Sequence, residues 1–571
     1  MNHQWNIRLL TGPLRPFLMT KVIDALRERI LALRLRALPT SASVDRTIAL
    51  GVAPFPSSMW MHRHAEDVRA FASSMHDGRP AVPGIDAWRV DSRDPDNIDV
   101  RCVHELSRMH HWCAYALVAH IDAENAHAWC DLLAAEITAF ASTWPAERGT
   151  HWAFPMGTAL RAHSMLVAWD WARRTGWGNP EVERRVAALA IDHATSVWVR
   201  RERRGGLSTS HYAANLLGVL AVARYLPDAP QSPKWEAFAA RELCSELRRH
   251  ILDDGMTDEA STGYHRQIVD IFVHARALLG QRTEGYGWTS NDNERLDRAV
   301  ARCAALERIG MPLIGDNDDG MAVKLTGFKV DCSYLYDLVP PTMPRSESMP
   351  DFGLYVLGDD SLRVTLRNGP VGQFGKGGHA HQDQNAITVS ADGIALIVDP
   401  GSSVYTHDAA LRNHERSVGM HATMWWNDVD QLDAPPGEEG LFWLLADKVR
   451  CSVSEDTPRT ITGHVVHQQG RSHTRALVCD GDHIRVHDQC HGGSSDVCAW
   501  FPLHPDVTVT DVGESRVRLE RAGVACDLAW NAGTLICDTI HVAPEFGHRV
   551  ESQRLAIHGN TDLRWSLHRR A

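Results

Sequence analysis

The chain has 571 residues and a formal net charge of −12, which argues against a large nucleic-acid-binding surface because such surfaces are basic. An acidic balance still allows a local basic groove for an anionic ligand. Hydrophobic residues make up 44% and charged residues 23%, as is typical of a globular protein, and the length suggests two to four domains. The twelve cysteines are scattered without a CxxC pair, which predicts free thiols in a reducing compartment.

Residues 1–60 are expected to form an N-terminal helical segment, with an amphipathic basic helix over Lys21 to Arg36. Charged residues interrupt every apolar run, so we expect neither a secretory signal nor a membrane-spanning helix. This pattern favours a cytoplasmic location and leaves the periplasm as an alternative.

Helical periodicity dominates residues 61–340. HYAANLLGVLAVARYLP (211–227) is predicted to be capped by Ser208, Thr209 or Ser210 and to end at Pro227. YHRQIVDIFVHARALLG (264–280) repeats the pattern, with Ser261 or Thr262 as cap and Gly280 at its end. Several such helices in series predict a helical toroid or solenoid.

The pattern changes near residue 340, where LVPPTMPRSESMPDFG indicates a linker. Residues 351–571 then contain short β-rich runs, and AITVSADGIALIVDPG places an Asp392-Gly393 turn between two apolar strands. Strands at this spacing predict a large antiparallel sandwich. The expected fold class is therefore multidomain α+β, with an all-α region followed by an all-β region.

GGHAHQDQNA (377–386) carries His379, His381 and Asp383 at alternate positions, which places them on one side of an extended chain. The run resembles half of the HxHxDH zinc signature of metallo-β-lactamases. Gln384 breaks that match, and no αββα pattern follows, so we set that family aside.

Several distinctive motifs occur in order over more than 400 residues. The central block is GHAHQDQNAITVSADGIALIVDPGSSVY followed by RNHERSVGMHATMWWNDVDQ. The other stretches are HELSRMH (104–110), FPMGTALRAHS (154–164), DEASTGYHRQIVDIFVHA (258–275), IGDNDDG (314–320) and FPLHPDV (501–507). Together they resemble the heparinase II/III-like polysaccharide lyases. The resemblance implies an incomplete (α/α) toroid, then an antiparallel β-sandwich, with the active cleft between them.

The reaction that the resemblance implies is β-elimination from a uronic-acid-containing polysaccharide. A base must remove the C5 proton, an acid must protonate the departing O4 oxygen, and a donor must offset charge on the uronate carboxylate. By position, Tyr264 is the candidate base, acid or both, although a core tyrosine would also fit its apolar helix line. His379 is the candidate partner.

The neutralising group is where this sequence departs from the family pattern, which usually offers Asn or His as an Asn-His pair. In this chain the pair is Ser210-His211, with Asn215 one helical turn later. His211 and Asn215 are therefore assigned the role. If Ser210 occupies the critical position, the substrate or even the activity changes.

Family members with a metal hold zinc in a structural position, and the matching residues are His381, Asp399 and His421. Neutral imidazoles and a carboxylate suit Zn²⁺. A metal-free, hydrogen-bonded polar cluster is the alternative, and Asp383 is interpreted as a supporting group rather than a ligand.

Substrate-binding candidates also follow from the resemblance. They are Glu105, Arg108, Arg161, Ser210, Tyr405, Arg412 and Arg416. The leading hypothesis is a lyase whose partner is an acidic polysaccharide or oligosaccharide. The alternatives are a uronate C5-epimerase or glycoside-cleaving relative, and a glycan-binding protein without catalysis. A homodimer is one assembly that the sequence allows.

Overall fold

A computed structural model describes residues 48–52, 54–76, 99–203, 207–318, 320–326, 331–344, 346–432, 434, 438–444 and 449–570. The predicted basic helix at Lys21 to Arg36 lies outside the described residues. Contacts divide the chain into two compact units. One, the helical unit, comprises residues 1–250, 267–297 and 320–340, and the other, the sandwich unit, comprises 251–266, 298–319 and 341–571. The domain boundaries inferred from the sequence stay predictions.

The helices of the described residues are numbered α1 to α12 in chain order. They are Ser58–His76, Val100–Ser107, His111–Ile121, Ala126–Thr143, Pro155–Arg173, Pro180–Val199, Ser210–Tyr225, Ser232–His250, Thr262–Leu279, Ser290–Arg308, Ser333–Leu338 and Ala409–Glu415. None of these helices is both long and apolar enough to cross a membrane.

Helix α5 forms the centre of the helical unit and packs against α3, α6 and α7. Every residue from Met156 to Ala172 is buried, so this helix is covered on all sides, as expected of a core helix. A Cβ on Gly218 would lie 2.6 Å from the carbonyl oxygen of Ala159, so glycine allows α7 to approach α5 closely. Thr209 caps α7, as one of the predicted alternatives, by accepting a hydrogen bond from the His211 N–H.

The strands β1 to β16 follow in the sandwich unit. They are Leu354–Gly358, Leu362–Arg367, Ala386–Ala391, Ile394–Ile397, Met424–Trp426, Val449–Ser454, Thr460–His467, Ser472–Asp480, His483–His491, Val497–Pro502, Thr508–Thr510, Arg516–Arg521, Val524–Trp530, Thr534–Glu545, His548–His558 and Asp562–Arg569. They form sheets ordered β1-β2-β3-β4, β14-β15-β10-β5 and β11-β12-β13-β16-β9-β8-β7-β6.

Burial alternates along β7, β8 and β9, which is the pattern of a sheet with one face on a core. One hydrophobic cluster joins side chains from all three sheets. The Asp392-Gly393 turn lies between β3 and β4 with positive φ at both residues, as a type I′ hairpin requires. The predicted fold class, a helical toroid region followed by an antiparallel β-sandwich, is confirmed.

Two segments from earlier in the chain complete the sandwich unit. Met256, Ile309 and Ile314 pack with Phe352 and Leu354 in one hydrophobic cluster. Ala260 packs with Val371 and Ala380 in another. These apolar contacts hold residues 251–266 and 298–319 against the sandwich strands and loops, and they bring polar residues of both segments beside the GGHAHQDQNA run.

Candidate functional site

The start of α9 is fixed against the IGDNDDG loop by hydrogen bonds and close backbone contacts. Ser261 accepts a hydrogen bond from the Tyr264 N–H at 3.1 Å, and its hydroxyl donates to the Asp316 carbonyl oxygen at 2.7 Å. A Cβ on Gly315, where φ is +70°, would lie within 2.6 Å of the carbonyl oxygens of Ala260 and His379. Glycine is therefore required at this point, and it sets the place of Asp316.

Tyr264 lies in the sandwich unit and is only 5% exposed. Its ring stacks on the His379 imidazole, with 3.6 Å between centroids and 20° between planes. Its phenol oxygen is 3.1 Å from that of Tyr405, which also lies 3.2 Å from the Asn317 carbonyl oxygen and can donate to it. The Tyr405 hydroxyl can thus accept a hydrogen bond from Tyr264 or donate one to it.

Asp316 is buried at the centre of this cluster. Its two carboxylate oxygens accept hydrogen bonds from Arg412 Nη1 and Nη2 at 2.9 and 2.8 Å. His379 Nδ1 lies 2.9 Å from Oδ2, and His381 Nε2 lies 3.0 Å from Oδ1. One carboxylate therefore joins an arginine and both histidines of the GHAH run.

Charge and hydrogen bonding keep this carboxylate ionised despite its burial. Burial alone would raise the pKa of Asp316, but the Arg412 guanidinium and the hydrogen bonds from His379 and His381 hold that pKa well below its ordinary value. In return, burial would lower the pKa of Arg412, and the charge of Asp316 keeps it above its ordinary value. The pair is therefore a salt bridge rather than a neutral contact.

Arg412 and Arg416, two of the predicted substrate-binding residues, are both buried, and both donate hydrogen bonds inside the sandwich unit. Arg412 Nε and Arg416 Nη1 donate to the Leu441 carbonyl oxygen, and Arg416 Nη2 donates to that of Gly440. Burial and the charge of Arg412 lower the pKa of Arg416 to about 10. Residues four apart on α12 and its end do share a face, but that face packs on the chain at Gly440–Leu441.

His381, Asp399 and His421 come together, as the resemblance implied, and offer three ligand atoms within 4.8 Å of one another. His421 Nδ1 donates to Asp399 Oδ2 at 2.9 Å. Within the part of the chain that the structure describes, His381 Nδ1 and His421 Nε2 are buried without a hydrogen-bond partner. Two buried imidazole nitrogens beside a carboxylate fit a zinc ion, which would satisfy both.

Asp383 is buried but does not belong to that ligand group. Its Oδ2 lies 3.6 Å from Nε of the buried Arg367. The interpretation of Asp383 as a supporting residue agrees with this position.

The neutralising candidates lie in the helical unit. Glu202 joins them, with its Oε1 2.9 Å from His211 Nδ1 and its Oε2 accepting from Asn215 Nδ2 at 3.0 Å. The His211 side chain is 42% exposed, whereas Ser210 is fully buried. A ligand at this place would meet His211, and Ser210 lies beneath the surface.

Glu105 and Arg108 also lie in the helical unit, where they form an ion pair across one turn. Their neighbour His104 has its pKa lowered to about 3 by burial and by the charges of Arg108 and His211. Both charges therefore act on the same buried imidazole.

Arg161, in contrast, lies in the interior of the helical unit. It is fully buried, and its guanidinium donates to His193 Nε2 and to the Ser107 carbonyl oxygen, each at 2.8 Å. Phe140 and Trp152 cover its faces. These contacts place Arg161 in the core of the helical unit, and its assignment as a substrate-binding residue stays a prediction.

Three acidic residues of these clusters were not predicted from the sequence. Asp316 and Glu259 fall inside stretches that carried the resemblance, IGDNDDG and DEASTGYH, but several acidic residues compete within each stretch. Glu259 Oε2 lies 3.5 Å from His379 Nε2. Glu202 stands in no recognised motif, so no signal in the sequence could have found it.

Family models match two parts of the chain. "Heparinase II/III-like, C-terminal" matches residues 341–566, and "Heparinase II/III N-terminus" matches residues 207–286. Together they cover more than half of the chain and contain Ser210, His211, Tyr264, His379 and His421. No curated protein matches the sequence at a significant level.

Solved structures with the same fold include a heparinase III, with a TM-score of 0.66, 13% identity, and coverage of 98% of this chain and 92% of that one. The heparan sulfate lyase HepC from Pedobacter heparinus gives a TM-score of 0.55 at 15% identity over 98% and 91%. The Streptomyces coelicolor A3 chondroitin AC lyase, in complex with chondroitin sulphate, gives 0.51 at 13% over 96% and 82%. At these identities the likeness shows the fold.

Proposed function

Because this chain belongs to the heparinase II/III-like family, we propose that it is a polysaccharide lyase that cleaves an acidic glycan by β-elimination. The observation that carries the proposal is the buried phenol of Tyr264, stacked on His379 and 3.1 Å from the hydroxyl of Tyr405. Solved structures that share the fold include a heparan sulfate lyase and a chondroitin AC lyase. Those substrates are themselves acidic glycans, which is the class we infer for this chain.

The chemistry sets what the residues must do. The C5 proton of a uronate lies next to a carboxylate and is only weakly acidic, so a base must be held in place to remove it. Charge then builds on the carboxylate and must be offset by a donor. An acid finally protonates the O4 oxygen that leaves, and the product carries a C4–C5 double bond.

We assign proton transfer to the Tyr264 oxygen. When Tyr264 loses its proton, the Tyr405 hydroxyl can turn from the Asn317 carbonyl oxygen and donate to the phenolate. The Arg412 guanidinium lies 4.6 Å from the centroid of the Tyr405 ring and adds positive charge to the same place. Both effects favour the ionised form of Tyr264 during the reaction.

We assign the partner role to His379. Its Nδ1 faces Asp316, so Nε2 is the ring atom left for a proton from or to the substrate, with Glu259 Oε2 at 3.5 Å. Stacking on Tyr264 keeps the imidazole plane fixed. A histidine held by a carboxylate on one ring nitrogen is oriented as a general acid or base requires.

For the uronate carboxylate we assign His211 and Asn215 of the helical unit. Glu202 holds both side chains, and His211 is the more exposed of them. The proposed neutraliser is therefore an imidazole at the second position of the Ser210-His211 pair. With His211 in this role, the serine at position 210 does not remove the donor.

His381, Asp399 and His421 are the residues that would hold a zinc ion, and the buried nitrogens without partners support that assignment. A bound zinc ion would cross-link three separate stretches of the sandwich unit. Its place beside the Asp316 cluster suits a structural role, and no proton transfer needs it.

The test is an incubation with a panel of acidic polysaccharides, followed by the ultraviolet absorption of 4,5-unsaturated uronate. We expect absorption with at least one polymer for the unchanged protein and its loss in Tyr264→Phe. Tyr286→Phe is the matched control, because Tyr286 also donates to a neighbour, Glu236, but lies outside the cluster. Equal rates for unchanged protein and Tyr264→Phe would contradict the assignment.

The same incubation separates the remaining alternatives. Incorporation of solvent deuterium at C5 without absorption would indicate a uronate C5-epimerase, because that reaction returns a proton instead of expelling O4. Binding of a polymer with neither signal would indicate a glycan-binding protein. Either result would replace the lyase proposal.

A further inference from the structure

The Asp316 carboxylate contacts two histidines that the proposed function gives different tasks. It meets His379 through Nδ1 at 2.9 Å and His381 through Nε2 at 3.0 Å. The two contacts use different ring nitrogens and different carboxylate oxygens. His379 belongs to the proposed proton-transfer pair, whereas His381 belongs to the proposed metal group.

A carboxylate that is ionised can only accept hydrogen bonds. Asp316 is held ionised by the two-pronged salt bridge with Arg412, whose nitrogens lie 2.9 and 2.8 Å from its oxygens. Each histidine nitrogen in contact with it must therefore carry a hydrogen. The hydrogen sits on Nδ1 in His379 and on Nε2 in His381.

The opposite ring nitrogen of each neutral histidine then holds the lone pair. In His381 that atom is Nδ1, which is buried and has no hydrogen-bond partner among the described residues. The His381 and His421 rings have centroids 5.3 Å apart, and His381, Asp399 and His421 each offer a ligand atom within 4.8 Å of the others. A carboxylate that accepts from one nitrogen of a histidine and leaves the other for a metal is a recurrent support of zinc sites.

We propose that Asp316 is a positioning residue that sets the tautomers of His379 and His381 in opposite senses, presenting Nε2 of His379 for proton transfer and Nδ1 of His381 to a metal ion. Only the part that concerns His379 rests on the proposed function. The part that concerns His381 is a statement about ring hydrogens and zinc, and it holds or fails without any catalytic activity.

A second buried carboxylate provides the matched control. Asp488 is also in the sandwich unit, where it accepts from Arg475 Nε at 2.7 Å and Nη2 at 2.9 Å and from His473 Nε2 at 2.9 Å. It does not contact His379 or the proposed zinc ligands. Asp488→Asn therefore removes an equally buried Arg–Asp–His contact without touching the two tautomers.

The first measurement is nuclear magnetic resonance of the full chain with ¹⁵N-labelled histidine, assigned with His379→Gln and His381→Gln. We expect the Nδ1–H tautomer for His379 and the Nε2–H tautomer for metal-free His381. The opposite tautomer at either position would overturn the proposal. This measurement needs no Asp316 variant, so it decides the matter even if Asp316→Asn fails to fold.

The second measurement is zinc affinity by chelator competition in full-length Asp316→Asn and Asp488→Asn. Loss of a supporting carboxylate weakens zinc binding by about 10- to 100-fold, so we expect that loss in Asp316→Asn and an unchanged affinity in Asp488→Asn. Equal affinities in both variants would overturn the zinc part. If the unchanged protein shows no lyase activity, the proposed function fails while both measurements still judge this inference.

Discussion

Two clusters in the sandwich unit are built from the same parts, an aspartate, an arginine and histidine. In the cluster around Asp488, Arg475 also donates to the carbonyl oxygens of Asn385 and Ala422, and His473 Nδ1 lies 3.4 Å from Asn385 Nδ2. Each polar group of this cluster has a partner inside the unit. In the cluster around Asp316, His381 Nδ1 has none among the described residues, and two phenols lie beside His379.

The difference separates structural from chemical use of the same residue types. A buried network with every group satisfied stabilises one arrangement of the chain. A buried nitrogen left without a partner costs free energy unless something else binds it, and such groups gather at functional sites. Asp488 therefore belongs to the architecture of the sandwich, and Asp316 to its proposed site.

The largest expected effect compares the histidines of the two clusters. His379→Ala removes a proposed proton-transfer group, and we expect kcat to fall by about 10²- to 10⁴-fold, the usual contribution of general acid–base catalysis. His473→Ala removes a histidine that is equally bonded to a carboxylate but outside the site. Steady-state kinetics on folded protein should show an unchanged kcat for His473→Ala. A similar loss of kcat in both variants would contradict a catalytic role that is specific to His379.

A substitution in the cluster around Asp488 should instead lower the stability of the protein. Asp488→Asn leaves the buried Arg475 without its counter-charge, and breaking such a pair costs about 3–5 kcal/mol in the free energy of unfolding. Denaturant unfolding measures this loss, and activity per folded molecule should not change. A loss of activity with unchanged stability would assign Asp488 to the site instead.

Zinc binding tests whether His381, which contacts Asp316, and not His473, which contacts Asp488, belongs to a metal site. His381→Ala removes a proposed ligand. Loss of a residue that only supports a ligand weakens zinc binding by about 10- to 100-fold, and we expect the loss of His381 to weaken it more. His473→Ala is again the matched control, because its imidazole is buried and bonded to a carboxylate. Equal zinc content in His381→Ala and unchanged protein, measured by elemental analysis, would contradict the metal assignment.

The smallest expected effect concerns a pair in the helical unit, in which the buried carboxylate of Asp292 meets the half-exposed side chain of Arg248. Asp292 accepts from Arg248 and from the Thr289 N–H at the start of α10, and the hydrogen bond with Arg248 lowers its pKa from 3.8 to about 2 against the effect of burial. A depressed pKa means that the unfolded chain binds the proton more readily. The stability that Asp292 contributes is therefore present above pH 3.8 and is lost as the pH falls through about 2.

We expect Asp292→Asn to lower the free energy of unfolding by about 1 kcal/mol at neutral pH, because a helix cap and an ion pair with a solvent-exposed arginine each contribute about that much or less. The difference between the variant and the unchanged protein should shrink as the pH falls and disappear below about pH 2. Unfolding curves recorded at several pH values test this, and a constant difference at every pH would contradict the role of the charge.

The sequence predicted local structure well where one short stretch contains all the information. Thr209 and Ser261 cap their helices among the predicted alternatives, and the Asp392-Gly393 turn forms as expected. These features depend on neighbours within a few residues, so periodicity and turn chemistry are enough to find them.

The site could be predicted only in part, because its central contact joins distant stretches. His379 and Asp316 are 63 positions apart, and nothing within IGDNDDG distinguishes the aspartate that contacts His379 and His381. The family resemblance likewise named Arg412 and Arg416 as candidates without showing that both side chains are buried. The sequence therefore showed the residue types and motifs of the site, but it did not show which side chains pack together or which of them are buried.

The central claim is that Tyr264 transfers a proton in a β-elimination. The most direct measurement is the structure of the product end group, determined by nuclear magnetic resonance after digestion of an acidic polysaccharide that the protein binds. We predict a 4,5-unsaturated uronate from the unchanged protein and intact polymer from Tyr264→Phe. A saturated end group, or the same unsaturated product from both proteins, would contradict it.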